Sequence, residues 1–477
     1  FVLLQQPQRL LQALQDKIWP KEISRDLYYP HGEIAITDYL RRWAQKVPDR
    51  SAFIFYGYHL SYQKLDEYSD RCAAMLQANG ISKGDPVAVY MGSCPQFIIA
   101  FFGILKAGGI HVPVNPMFKE HELLHELKDS GATIVISEHG LVPLVRKVQA
   151  DSCVRLVIST GLAEMIPTTP TVPIPGSVAN AVSRSETKCD SFLDLLETAG
   201  LPTPIEADLD AVAALNYTGG TTGMPKGCIH SQREMIFTCA KACRTNSPLY
   251  EGEITLNIYP LFWIAGEDLG ILFPIFTGAT CVLLARWDTV SFMAAVQYYQ
   301  VQRAVMLVDS AVDVMDHPLV DDFDLTSIET TGVSSLVKKL NPQYRDRWKR
   351  LTGSVMVELS FGMTETHTCD TFTRGMQRDD FDLSLPPITV GLPVPGTEFK
   401  ICDFETHKLL DIGQEGEICV RSPSVLKAYW RQPKATADSI VNGWLRTGDI
   451  GTIDELGLIR FLGRQKEMLK VRGMSVS

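Results

Sequence analysis

The first constraint on this chain is a hydrophobic period that switches back and forth. Residues 60–80, LSYQKLDEYSDRCAAMLQANG, carry apolar positions at helical spacing and end on glycine as a helix does. DPVAVYMG at 85–92 follows as a short apolar strand, FIIAFFGILKAGG at 97–109 is helical again, and IHVPVN at 110–115 is strand-like. Strands that alternate with helices are joined by crossovers, so the expectation is parallel neighbours in a layered α/β architecture. At 477 residues the chain exceeds what one hydrophobic core serves, and at least two packed units are expected. From about residue 386 the texture changes to short strands and turns, as in PVPGTEFKICD and GEICVRS, marking a β-rich subdomain. AEMIPTTPTVPIPGSVAN at 163–180 is proline-rich and polar and reads as a surface excursion.

Composition excludes several classes. A net charge of -10 argues against general affinity for nucleic acid or anionic membrane. The longest apolar run, FIIAFFGIL, is too short to cross a bilayer, so no transmembrane segment is expected. Eleven dispersed cysteines contain no Cys-x-x-Cys pair, and Cys239 with Cys243 lacks histidine partners nearby; the set reads as reduced thiols of a cytoplasmic protein. There is no signal-peptide pattern, and Phe1 is not an initiator, so a leading segment is expected before it.

Residues 217–227, YTGGTTGMPKG, look like a phosphate cradle: small residues admit backbone N–H groups to an anion, and hydroxyls with one ammonium complete the contacts. A P-loop would run Gly-Lys-Ser/Thr into a helix, whereas Pro225 precedes Lys226 and Gly227 follows it. The loop is therefore expected to be a mobile clasp joining two strands, or a strand and a later helix. In SFGMTET at 360–366, Phe361 could stack on a purine, Thr364 bind phosphate and Glu365 hold magnesium; a plain strand-to-helix turn fits as well. Asp449, in WLRTGDIG at 444–451, fits either a ribose-binding acid or a turn aspartate. LGRQKEMLKVRG at 462–473 alone reads as a solvated basic face.

In this order the four stretches resemble the adenylate-forming acyl-CoA ligases, relatives of acetyl-CoA synthetase, of fatty acid and 4-coumarate CoA ligases and of firefly luciferase. LKAGGIHVPVNP at 105–116 and GEICVR add to the resemblance, which covers nearly the whole chain from about residue 35. It implies that a carboxylic acid is joined to the α-phosphate of ATP with release of pyrophosphate, and that the thiol of coenzyme A then attacks the acyl-adenylate. Thr218, Gly219, Gly220, Thr221, Thr222, Gly223, Lys226 and Thr364 would meet the phosphates, with Lys226, Thr222 and Glu365 catalytic and Mg2+ on Glu365. Phe361, Gly362, Met363, Ser334 and Ser335 would surround adenine, Asp449 and Arg464 the ribose, and Trp263, Gly266 and Glu267 the acyl pocket. No general base is required, since a carboxylate is already ionised at neutral pH.

The resemblance also implies a large N-terminal domain over 1–464, built from two α/β subdomains and the β-rich one. Lys466 would be the hinge of a small mobile C-terminal domain, of which 465–477 is only the start, with Arg472 and Gly473 near coenzyme A and the adenylation lysine beyond Ser477. It admits a homodimer.

Several residues depart from the family pattern. SSLV at 334–337 stands where a Gly-Gly-Ala-Pro-like run is usual, and Phe361 replaces the customary tyrosine while keeping a stacking face. Trp263, in YPLFWIAG at 259–266, stands where amino-acid activators carry aspartate, which counts against an α-amino acid substrate; core filler and acyl-pocket wall are both open to it. Glu267 and Asp268 read as helix N-terminal charges, with pairing to a cationic substrate tail as the alternative. His230 and His367 read as structural. Two other functions stay open: acyl transfer to a carrier protein's phosphopantetheine, and a nucleotide-binding relative without catalysis.

Overall fold

The computed structural model describes residues 5–181, 188–219, 224–465, 469–471 and 474–476. Two crossover sheets carry the α/β part. One runs, edge to edge, Met356–Glu358, Thr330–Ser334, Arg303–Leu307, Ile254–Asn257, Thr280–Leu283, Ser51–Phe55 and Tyr58–Ser61, every pair parallel except the last. The other runs Asp190–Ser191, Leu156–Thr160, Ile134–Glu138, Pro86–Tyr90, Ile110–Pro113, Val212–Tyr217 and Gly227–Ser231, again parallel until its final antiparallel pair. The chain starts the first sheet, leaves to build the second, and returns: Phe53 is in register with Cys281.

The apolar stretch at 97–105 forms the helix Pro95–Lys106, buried at every position from Pro95 to Leu105. A helix apolar on all sides must be enclosed, and it lies against the helix Tyr62–Ala78, whose N-terminus is capped by Ser61 Oγ accepting from Lys64 N at 3.1 Å. Gly103 permits the contact, because a Cβ there would stand 2.4 Å from Cys72 Sγ.

The β-rich subdomain is an antiparallel sheet in the order Thr371–Phe372, Thr389–Pro393, Ile459–Arg464, Trp444–Ile453, Gly416–Arg421 and Glu398–Cys402, with Ile440–Val441 also paired to Trp444–Ile453. Its first short strand lies upstream of residue 386 because Phe372 pairs with Leu392. The N-terminal helix Gln5–Ile18 is fastened to this sheet by Gln15 Nε2 donating to Gly457 O at 3.1 Å and by Trp19 meeting Phe372 edge-on at 5.0 Å. All eleven cysteines are free, and among the described residues no helix is long and apolar enough to cross a membrane.

Candidate active site

YTGGTTGMPKG joins the antiparallel strands Val212–Tyr217 and Gly227–Ser231, the first of the two connections its composition allows. Its neck is closed by two bonds between the same residues: Thr218 N donates to Lys226 O at 3.0 Å, and Lys226 N to Thr218 Oγ1 at 3.2 Å. The helix Glu120–Ser130 buttresses the loop. His125 Nε2 donates to Pro225 O at 2.9 Å, and Tyr217 hydroxyl donates to Asp129 Oδ2 at 2.8 Å. Gly220, Thr221, Thr222 and Gly223 lie outside the described residues, as do Lys466, Arg472 and Gly473.

The SFGMTET stretch leaves the sheet edge and forms a single turn, Thr364–Thr366, the Thr364 carbonyl accepting from His230 Nε2 at 2.8 Å. His367, Thr368 and Cys369 follow in the left-handed region at φ 57°, 54° and 55°. Three consecutive non-glycine residues there carry strain that only surrounding contacts hold, and such strain gathers at functional sites. The holding contacts are visible: Asp268 meets His367 Nδ1 at 2.9 Å and accepts from Thr368 Oγ1 at 2.7 Å, and Asp370 N donates to Phe361 O at 2.9 Å. Burial pushes the Asp268 carboxyl up to about 8 and the His367 imidazole down to about 4, so near neutral pH the two meet mainly as uncharged forms rather than as an ion pair.

These segments meet the β-rich sheet across a cleft of about 630 Å³, lined by Thr218, Gly219, Met224, Lys226, Met363, Glu365, Glu417, Tyr429, Arg446, Gly448 and Arg464 among others. Asp449 is buried at the wall, in register with Arg464, whose Nε lies 3.1 Å from its Oδ1. The structure thus gathers Thr218, Gly219, Lys226, Met363, Glu365 and Arg464 on one cavity, with Asp449 beside it. Gly362 and Thr364 flank Met363 on the same turn.

Other expected residues are placed elsewhere. The Phe361 ring is 7% exposed, packs with Phe399 and Phe461 at centroid distances of 6.0 and 6.1 Å, and is not among the residues lining the cleft. Ser334 Oγ accepts from Tyr259 hydroxyl at 3.0 Å, and Ser335 is held by Glu358 through N and Oγ at 2.9 and 2.5 Å; neither lines the cleft.

Trp263 is 42% exposed, which removes the core-filler alternative. The helix it opens starts at Ile264, and Gly266 is required there because a Cβ would meet the Pro260 carbonyl oxygen at 1.9 Å. Glu267 and Asp268 fall in first turns of this helical stretch, as expected of N-terminal charges, and both are fully buried there. Glu267 Oε2 accepts from Asn216 Nδ2 at 3.0 Å; burial, then the neighbouring Asp268, pushes its carboxyl up to about 8. A separate narrow recess of about 60 Å³ is lined by Leu269, Phe273, Val305 and Leu359 together with Arg303 and Arg374, and shares no residue with the cleft.

The structure also shows residues to which sequence reasoning assigned no role. Tyr429 hydroxyl donates to Glu365 Oε1 at 2.8 Å while Lys226 Nζ sits 4.1 Å from its ring centroid, and burial, with Glu365 adding to it, pushes the phenol far above its ordinary range. Glu417 holds Arg446 Nε and Gly448 N, each at 3.0 Å, shaping the wall beneath Asp449. Lys241, fully buried, donates to Asp370 Oδ1 at 2.9 Å and Ser424 Oγ at 2.8 Å. No periodicity or motif marks Tyr429 or Lys241, and Glu417 lies within GEICVR without having been given a role; each matters through contacts with distant segments.

A cleft between a parallel α/β body and a β-rich sheet, with a glycine–threonine–lysine loop facing an acidic turn, defines a nucleotide-phosphate site. The sequence profile of the AMP-binding enzyme family matches residues 40–430, and the chain belongs to that family. Long-chain-fatty-acid–CoA ligase of Escherichia coli O157:H7 is 30% identical over 468 residues, covering 96% of this chain and 81% of the relative. The enzyme of the same name from Bacillus subtilis (strain 168) is 29% identical with the same coverage. Among solved structures, an anthranilate CoA ligase in complex with anthranoyl-AMP superposes with a TM-score of 0.79 over 93% of this chain and 80% of its own, at 22% identity, a likeness of fold.

Proposed function

We propose that the protein is an ATP-dependent carboxylate–CoA ligase of the AMP-forming, acid–thiol class, acting on a fatty or other hydrophobic acid. The observation that carries this is the convergence of Lys226, Glu365 and Arg464, from three separate segments, on one 630 Å³ cleft. Lys226 and the threonine hydroxyls of its loop would meet the β- and γ-phosphates, where negative charge grows as pyrophosphate leaves. Arg464, paired with Asp449, would orient the ribose.

The residues fit a magnesium ion. Glu365 offers a hard carboxylate oxygen beside the lysine, and among the described residues there is no cluster of three His, Cys, Asp or Glu that would form a complete protein cage. One carboxylate plus phosphate oxygens is how magnesium is commonly held next to a nucleotide, and the ion would neutralise phosphate charge. The acid is favoured as hydrophobic by the exposed Trp263 and by relatives named as long-chain-fatty-acid–CoA ligases. Coenzyme A as the thiol is supported by the same names.

The test is acyl-CoA formation from ATP, Mg2+ and coenzyme A over a panel of fatty, aryl and branched acids, with AMP and pyrophosphate followed together. Thioester appearing with AMP supports the ligase; ADP as the product, or no acid-dependent AMP, removes it.

A further inference from the structure

The phosphate-loop lysine and the acidic-turn carboxylate share a neighbour that belongs to neither motif. Residues 426–430 lie along the strand Gly227–Ser231, with Ile229 N donating to Ala428 O at 3.1 Å and Trp430 N to Gly227 O at 2.8 Å. Leu426 N, donating to Glu365 O at 2.7 Å, pins the same segment to the acidic turn. Tyr429 therefore stands between the two, 4% exposed, its hydroxyl on Glu365 Oε1 at 2.8 Å and its ring under Lys226 Nζ at 4.1 Å.

We infer that Tyr429 is a positioning residue for the adenylation site, its hydroxyl fixing the Glu365 carboxylate by one oxygen while its ring holds the Lys226 ammonium at the mouth of the phosphate loop. This rests on the ligase reading above. The residue type suits both tasks. A neutral hydroxyl orients a carboxylate without cancelling its charge, whereas a lysine or arginine in that place would weaken its hold on a cation. An aromatic face attracts an ammonium yet carries no net charge, so Lys226 stays fully cationic for phosphate, where an acidic partner would compete. Fixing both groups before the nucleotide arrives lowers the reorganisation needed at the reacting phosphate.

The experiment is ATP binding by calorimetry, in EDTA and across a magnesium series, on wild type, Tyr429→Phe and Tyr429→Leu. For Tyr429→Phe the expected result is ATP affinity in EDTA within about twofold of wild type and a magnesium half-saturation raised about fivefold or more, the scale of one lost hydrogen bond to a charged group. Tyr429→Leu should show the same magnesium shift and also bind ATP in EDTA about threefold or more weakly, since the ring is gone. In a Glu365→Gln background Tyr429→Phe should add no magnesium effect, because the partner it orients is no longer a carboxylate. An unchanged magnesium half-saturation in Tyr429→Phe overturns the inference. So does an equal shift in the Glu365→Gln background, or a loss of affinity in EDTA as large as the magnesium shift, which would mark a merely structural residue. Wild type that binds no ATP at any magnesium concentration would instead overturn the ligase reading itself.

Discussion

Lys226 and Glu365 reach the cleft from loops that share no strand, yet in the proposed reaction both would meet charge that develops during one step. Interactions that strengthen only in the transition state change kcat more than substrate binding. Lys226→Ala and Glu365→Ala should each slow acid-dependent pyrophosphate exchange by about a hundredfold or more, while acid affinity moves only a few-fold. Wild-type exchange in either variant would remove that residue from the phosphate site. Glu267 makes a prediction of another kind. Its carboxyl is pushed from an ordinary 4.5 up to about 8 by burial, so between those values the folded protein binds more protons than the unfolded chain. Its contribution therefore turns less favourable as pH rises through that window, by at most about 1.4 kcal/mol per pH unit, and the loss is complete above the folded value. Glu267→Gln, which keeps an acceptor for Asn216, should gain stability relative to wild type between pH 5 and 8, read by urea denaturation at unit intervals. Parallel pH profiles would show that the carboxyl is not held neutral.

At the scale of elements, the helix beginning at Ile264 positions Trp263 at its exposed start and seals Glu267 and Asp268 within. Trp263→Ala should alter preference among acids of different chain length while leaving ATP affinity within about twofold and costing little stability, because a side chain with much of its surface in water has less burial to lose. An unchanged acid profile with a large fall in stability would make it a packing residue. Lys241 joins the helix Gln232–Ala242, the strained turn and the segment carrying Tyr429, through Asp370 and Ser424. Lys241→Ala leaves Asp370 buried without its cation and should cost about 3–5 kcal/mol, measured by denaturant unfolding. These elements also show what the sequence could reveal. YTGGTTGMPKG could be singled out because it is contiguous and unusual in composition, whereas SFGMTET, which a plain turn fits as well, drew its reading from its order among the other motifs. The alternating sheets were legible because period follows backbone geometry. Tyr429 and Lys241 were not, since a lone tyrosine and a lone lysine gain meaning only when folding brings a carboxylate to 2.8–2.9 Å. The packing of the Phe361 ring against Phe399 and Phe461 was not legible either, because both partners lie far along the chain. Glu267 was legible as a first-turn acid, but its complete burial was not, since that depends on what folds over the helix start.

Across the whole molecule, the cleft draws Thr218 and Lys226 from one crossover sheet, Glu365 from the turn after the edge strand of the other, and Glu417, Arg446 and Arg464 from the β-rich sheet. Local sequence could not disclose this arrangement, since strands at 51–61 and 254–358 close one sheet around the insertion of another. A nucleotide seated there contacts all three sheets at once, and its binding energy opposes their separation. A ligand that binds only the folded state stabilises it by about 2.7 kcal/mol at a hundred times its dissociation constant. In a chain this long that corresponds to a rise in Tm of about one to a few degrees, growing with the logarithm of ATP concentration in the presence of magnesium. Lys226→Ala should melt near the wild-type temperature without ligand, because the Lys226 side chain is only half-buried and lines the open cleft, and should lose most of the increment with ATP. Thermal melts of both proteins over an ATP series measure this directly. An increment that survives in Lys226→Ala would mean that ATP stabilises the protein from somewhere other than this cleft.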